Sequence, residues 1–292
     1  MDNIKDRLIL DIKDMLKTQA LLNAKTNGDN YISDNPRTTK GRFIYYPICM
    51  KMEAAELLDS IPWKHWKHNE NEYDIDNIRI EIIDMLHFVL SIHIDHAARI
   101  IEPDETKLKD RTVIEYVDEL IKFMEKEDDN TNYMELLFDY LETNVNEELK
   151  TSQQNIKNGM EPYIGFEHYI DKLLQFKVDR NIMCIRQLYE IVFILYGLTK
   201  LVEDKNSQNV TLEYMLQDVY DLYKAKLTLN KFRQDNGYNE GTYKKLWKLD
   251  NGEEVEDNVF VTRFIAQRPS LVGGYTLERH LHKFYQKQLQ GE

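Results

Sequence analysis

Four carboxylates stand at helical spacing in two short stretches of the chain. Glu53 and Glu56 lie three apart in EAAELLDS, and Glu81 and Asp84 lie three apart in EIIDMLHF. Spacing of three puts each pair on one side of a helix, one turn apart. Two such helices side by side would aim four hard oxygen ligands at one place, a set that suits Mg²⁺ held together with substrate phosphates. The chain carries 51 acids among 292 residues, so pairs three apart also arise by chance on solvated faces. The second pair is the more telling. Around it Ile80, Ile82, Ile83, Met85, Leu86, Val89, Leu90 and Ile94 point in most directions at about 100° per residue. Only a narrow polar stripe of Glu81, Asp84, Ser91 and Asp95 remains, interrupted by Phe88. A helix apolar on most sides is normally buried, and buried carboxylates need a cation or donors beside them. The two readings of this stripe are a metal site and a thin solvated edge.

Other polar groups stand where a plain core would not put them. Gln19 and Asn23, four apart, continue the apolar line of Leu8 and Ile12. Buried amides must find partners. They either cap a neighbouring helix end or recognise the edge of a nucleobase or a sugar hydroxyl through paired donors and acceptors. Further on, Lys226, Asn230 and Arg233 share a narrow sector of one helix, Gly237 and Gly241 bracket Tyr238, and Lys245 follows. This is a solvated face or a phosphate clamp, with lysines as point charges and arginine as a fork. WKHWK supplies Trp63, His65 and Trp66, a cluster that fits core, interface or ligand platform. His93 and His96 lack a third ligand and make a weak zinc set.

The elements that must hold these groups read as helices. Ile4, Leu8, Ile12, Met15 and Leu16 give one apolar face over 3–26, and Gly28 is a plausible stop. Residues 29–47 form a loop with Pro36, Gly41 and Pro47; a second helix runs from there to about Ile61, before Pro62; a third covers about Ile75 to Ile100. Residues 101–177 are expected to form an inserted helical subdomain, with acidic helices separated by the polar breakers EDDNTN and KTSQQNIKNGMEP. Helices resume over 180–202 and 211–234, followed by a glycine-containing stretch to about 258. With 11 Gly and 6 Pro the chain is too poor in turn formers for an all-β fold. The expected class is all-α, a helical bundle core within a single domain spanning 1–292.

Composition limits the function. Net charge is −13, with 42% apolar and 11% aromatic residues, which excludes disorder and argues against nonspecific nucleic-acid binding. The longest apolar run, Ile191 to Leu198, is too short to span a bilayer. Two cysteines and an N-terminus without a secretory pattern lead us to expect reduced thiols and a cytoplasmic protein, or a nuclear one in a eukaryote, neither secreted nor membrane-bound.

In order along the chain, QALLNAKTNG, EAAELLDSIPWKHWK, NIRIEIIDMLHFVLS and KLTLNKFRQDNGYNEGTYKKLW with a later EDN resemble the dimeric all-α dUTPases. These are part of the wider all-α NTP pyrophosphatase superfamily, whose ExxE and ExxD pattern is matched here with 24 residues between the two. The matching stretches run from about 19 to 258 and skip 101–177. The resemblance implies that Glu53, Glu56, Glu81 and Asp84 bind two or three Mg²⁺ ions with the nucleotide, and that Glu53 orients and deprotonates the attacking water. It implies that Gln19 and Asn23 read uracil and sugar, that Asp84 accepts the sugar 3′-hydroxyl, and that Phe88 packs on the sugar. Lys226, Asn230, Arg233, Tyr238 and Lys245, within 178–258, would grip the distal phosphates. It further implies hydrolysis of dUTP and dUDP to dUMP at the β-phosphate, a homodimer and, in phage members, a protein partner. His65 replaces an aromatic found in some members, which leaves open whether Trp63, His65 or Trp66 lines the uracil pocket. The rival readings are another pyrophosphatase of the superfamily, for example for dCTP, and a helical protein-binding regulator.

Overall fold

The all-round apolar helix lies at the centre of the N-terminal bundle. The computed structural model describes residues 2–64, 72–125, 133–177, 182–203, 210–249, 251–267 and 274–290. Within it α3 (Ile75–Ile101) buries seventeen of its residues, charged ones included. It starts where the Asp74 side chain accepts a hydrogen bond from the Asn77 backbone N–H, satisfying one orphan donor of the first turn. It ends at extended Glu102, where the following Pro103 disfavours helix. Around it pack α1 (Asp2–Asn27), α2 (Tyr46–Leu57), α4 (Val113–Glu125) and α7 (Ile182–Glu203). Each fully buried aliphatic side chain on such a helix stabilises the fold by roughly 1.5–3 kcal/mol.

The expected helices are present. Helix α1 ends at Gly28, whose φ of 99° is a conformation glycine adopts without strain, and whose N–H bonds the Ala24 carbonyl at 2.8 Å. After α2 a 3₁₀ turn occupies Leu58–Ser60. Helices α5 (Tyr133–Lys157) and α6 (Tyr163–Gln175) follow, α5 packing on α1 and α7, and α6 on α2 and α7. Here the structure differs from the sequence reading, because residues 150–157 of the expected breaker KTSQQNIKNGMEP continue α5. Their side chains are largely solvated, which removes the apolar period, yet Lys and Gln are good helix formers and nothing stops the helix before Gly159 at φ 92°.

The chain divides into two compact units, Met1–Leu216 and Gln217–Glu292. The first contains α1 to α7 and the start of α8 (Leu212–Asp235). The second adds to α8 an antiparallel hairpin of β1 (Leu246–Lys248) and β2 (Glu254–Glu256), with Trp247 opposite Val255, then α9 (Asp257–Gln267) and α10 (Gly274–Gln290). Its core joins Leu229 and Phe232 of α8, Trp247, Val261 and Ile265 of α9, and Leu277, Leu281 and Tyr285 of α10. The last three recur every four residues, the period of one helix face. Among the described residues no helix is long and apolar enough to cross a membrane.

Candidate active site

Packing of α2 on α3 brings three of the four acids together. Met50, Ala54 and Leu57 are the buried residues of α2 and define its contact line. Glu53 lies about 60° from that line and Glu56 about 120°. Glu53 is therefore half-buried, and a carboxylate oxygen of Glu53, Glu81 and Asp84 can be chosen so that all three lie within 4.8 Å of one another. Glu56 is exposed and is not in that group. Glu81 is buried, Asp84 half-buried. Burial and the nearby Glu53 carboxylate push the Cys49 thiol above its ordinary value, a sign of the negative field on this flank of α2.

Three carboxylates held so close repel one another unless a cation joins them. Octahedral ligands about 2.1 Å from Mg²⁺ lie roughly 3 to 4.2 Å apart, so small side-chain shifts would let one ion take all three. The donor set, all hard oxygen, fits Mg²⁺ in kind as well as in spacing.

Further along the same stripe of α3 the buried amides find their partners. Gln19 and Asn23 are 3% and 5% exposed. Gln19 Nε2 donates to Asn23 Oδ1 at 2.9 Å and to Ser91 Oγ at 3.1 Å. Asn23 Nδ2 donates to Ser91 Oγ at 3.1 Å and to the Tyr31 hydroxyl at 3.2 Å. The Ser91 hydroxyl in turn donates to the His87 carbonyl at 2.9 Å. His87 Nδ1 stands 2.6 Å from Gln19 Oε1, and since an amide oxygen only accepts, Nδ1 carries the proton. The amides thus form a network whose other members, His87, Ser91 and Tyr31, were not expected as site residues. Burial raises the Tyr31 hydroxyl well above its ordinary value, so it stays protonated. Tyr31 also lines a cavity of about 320 Å³ with Tyr46, Asp95, His96 and Arg99. The Phe88 ring stands between the acids and the amides along α3, half-buried and 6.3 Å from the Tyr46 ring.

Of the aromatic cluster, Trp63 is partly exposed and its indole N–H donates to the Leu58 carbonyl at 2.7 Å. His65 and Trp66 lie outside the described residues.

The second unit gathers the cationic set on its own. Lys226 and Arg233 are buried on α8. Arg233 forks onto Asp257, with Nε to Oδ2 at 2.8 Å and Nη2 to Oδ1 at 2.6 Å, while Nη1 reaches Asn230 Oδ1 at 3.3 Å. Asp257 is fully buried and also accepts from the Tyr243 hydroxyl at 2.8 Å. Burial first, then the Asp257 charge, raise that hydroxyl well above its ordinary value. Gly237 at φ 88° turns the chain at the end of α8 and sets the Tyr238 ring 5.8 Å from the Arg233 guanidinium and 5.6 Å from Lys245 Nζ. Lys245 is exposed. Asp257 and Asn258 were visible in the sequence only as the EDN motif, without a role.

A family model described as dUTPase matches residues 11–160, half of the chain. The chain belongs to the dUTPase family. Its family therefore supports hydrolysis of dUTP in general, as an all-α member of that family. The matched span contains the amides, the four acids, Phe88 and WKHWK, and runs through 101–160; Lys226 to Lys245 lie beyond it. No curated protein matches the chain.

Proposed function

We propose that this dUTPase-family chain hydrolyses dUTP and dUDP to dUMP in a Mg²⁺-dependent attack of water on the β-phosphate. The observation that carries this reading is the convergence of Glu53, Glu81 and Asp84 at one end of a stripe on α3 whose other end holds the amide network. Asp84 and Ser91 are seven residues apart, about 10 Å along a helix, room for a nucleoside lying between them. Bound Mg²⁺ would neutralise phosphate charge and lower the pKa of water. The three acids would hold it, and Glu56, one turn along α2, would reach it by a change of rotamer. Glu53, on the flank of α2, orients the attacking water and takes its proton as the water oxygen bonds to the β-phosphorus. The bond from that phosphorus to the oxygen of the α-phosphate breaks, and dUMP leaves. Asp84 accepts the 3′-hydroxyl, Phe88 packs on the sugar, and Gln19 and Asn23 select the base. Trp63 or its neighbours His65 and Trp66 cover the base. Lys226, Asn230, Arg233, Tyr238 and Lys245 serve the distal phosphates by charge and by hydrogen bonding. The working form is a homodimer, which light scattering on the purified protein tests.

The deciding experiment incubates the protein with dUTP, dUDP, dTTP, dCTP and UTP, with and without Mg²⁺, and measures monophosphate release. Turnover of dUTP and dUDP alone, abolished by chelator, is expected. Equal turnover of dCTP would point to a broader pyrophosphatase, and no turnover at all would refute the assignment.

A further inference from the structure

Every N–H of the two buried amides is already given to the protein. Gln19 Nε2 spends its two on Asn23 Oδ1 and Ser91 Oγ, and Asn23 Nδ2 spends its two on Ser91 Oγ and the Tyr31 hydroxyl. A primary amide has two N–H donors, so towards a ligand this pair can act only through oxygen. The direction of the bonds is fixed from two sides. Turning both amide groups by half a revolution would exchange oxygen and nitrogen in each. Ser91 Oγ, which accepts two N–H bonds and gives its one proton to the His87 carbonyl at 2.9 Å, would then face three oxygens with that one proton. His87 Nδ1, which donates to Gln19 Oε1 across 2.6 Å, would then meet an N–H. Ser91 therefore holds Gln19 by its nitrogen and His87 holds it by its oxygen, and Gln19 orients Asn23 through their 2.9 Å bond. Of the two holds, that of His87 is the adjustable one. With its proton on the other ring nitrogen, Nδ1 would accept and would support the reversed set.

We infer that His87, buried on α3 between Asp84 and Ser91, is a positioning residue that sets which base edge the amides accept. By donating from Nδ1 it keeps the Gln19 and Asn23 oxygens where they are. An amide oxygen accepts two bonds, and Asn23 Oδ1, bonded once by Gln19, receives the second from a ring N–H of the base. Uracil carries a proton on that ring nitrogen, whereas cytosine carries a lone pair there and would set it against the oxygen with no proton between them. Thymine has the same N–H as uracil and passes this test, so its methyl group is judged by other contacts. The inference rests on the proposed function in taking a uracil nucleotide as the substrate, and it adds the device that turns cytosine away.

Binding of dUMP, dCMP and dTMP, followed by calorimetry on the full-length protein, is the readout, because it does not depend on turnover. Wild type should bind dUMP more tightly than dCMP. His87→Leu removes the donor, and its preference for dUMP over dCMP should fall roughly tenfold, the weight of one misdirected hydrogen bond in a buried site. Its discrimination against dTMP should stay within about twofold of wild type, since the bond direction is the same for both bases. His87→Asn puts an N–H back near the place of Nδ1 and should recover most of the preference against dCMP. A residue that merely shapes the pocket would relax both preferences together and would not be rescued by a donor, so either result overturns the inference, as does an unchanged dCMP preference in His87→Leu. If His87→Leu loses its helical signal in circular dichroism, the nitrogen NMR spectrum of the wild-type ring decides. A proton on Nδ1 is expected, and one on Nε2 alone overturns the inference. A wild type with the expected binding order that does not turn over dUTP refutes the proposed function and leaves the role of His87 standing. Turnover of dUTP by a protein that binds dUMP and dCMP equally does the opposite.

Discussion

Around Glu53, Glu81 and Asp84 the fold gathers like charges, whereas around Arg233 it pairs opposite ones. The acids are held by the contact of two helices, α2 and α3, and like charges this close repel one another. The cation on α8 is met by a fully buried carboxylate, two amide oxygens and a turn fixed by glycine. The difference teaches what each cluster loses when one member is removed. A set of neighbouring carboxylates gains from an added cation, and losing one member relieves repulsion. In a buried ion pair, losing one member leaves a charge in a place that cannot solvate it.

The comparison breaks first at Glu53. Glu53→Gln keeps the shape and deletes both a charge and the base, so turnover of dUTP should fall roughly 10²–10⁴-fold. In chelator its thermal midpoint should match or exceed that of wild type, the mark of a residue kept for chemistry at some cost in stability. Steady-state kinetics and thermal melting on one preparation test both halves; full activity, or a clear loss of stability with activity kept, would sink the contrast.

Arg233 should behave in the opposite way. Arg233→Ala strands Asp257 at full burial and should destabilise the C-terminal unit by about 3–5 kcal/mol, read from urea unfolding. Arg233→Lys keeps the charge and loses the fork, so it should fall between. The double variant Arg233→Ala, Asp257→Ala should recover part of the loss, since it removes the stranded charge. Additive losses in this cycle would show that the pair is not what holds Arg233 in place.

The same contrast explains what the sequence could and could not disclose. Helices α1, α2 and α3 were legible because their apolar residues recur at helical spacing, and Glu53, Glu81 and Asp84 followed from position on those helices. Glu56 was grouped with them by a three-residue rule that ignores a further rotation of about 60°, enough to turn it to solvent. The partners of the amides were hidden for a different reason. His87 is 68 positions from Gln19, and Ser91 is 72 from Gln19 and 68 from Asn23, so only the packed fold makes them neighbours. Asp257 is 24 positions from Arg233, and EDN carries no local signal that its acid will be buried against that guanidinium. The C-terminal helices carried their signal in Leu277, Leu281 and Tyr285, but polar residues crowd the intervening positions.

Ser91 offers a finer cut, because it joins the acid-bearing stripe to the amides. Its oxygen accepts from both Gln19 and Asn23, so Ser91→Ala leaves two buried N–H groups short of an acceptor. A loss of about 1–3 kcal/mol in stability is expected. If the network aims the amides at a base, the preference for dUTP over dCTP should fall in the same variant while its Mg²⁺ dependence stays as in wild type. A loss of stability with unchanged preference would make the network purely structural.

The smallest effect concerns a charge that the fold refuses to form. His93, on α3, is buried against Tyr189 and Tyr133, with Nδ1 3.2 Å from the Tyr189 hydroxyl and Nε2 3.4 Å from that of Tyr133. Arg186 lies over the Tyr133 ring. Burial, and secondarily the neighbouring His96, lower His93 to about 3. The unfolded chain takes up this proton near the ordinary histidine value of about 6.5, while the folded chain does so only near 3. The contribution to stability is therefore full above the ordinary value and is lost progressively as pH falls towards the folded one. Between pH 6.5 and 5 the loss should reach about 1–2 kcal/mol. In His93→Gln that proton uptake is absent, so its midpoint should fall less steeply with acid and the gap to wild type should narrow. Parallel melting curves for the two proteins across this range would show that His93 is not the group that titrates, and that α3 tolerates a charge at its core end as readily as at its acid end.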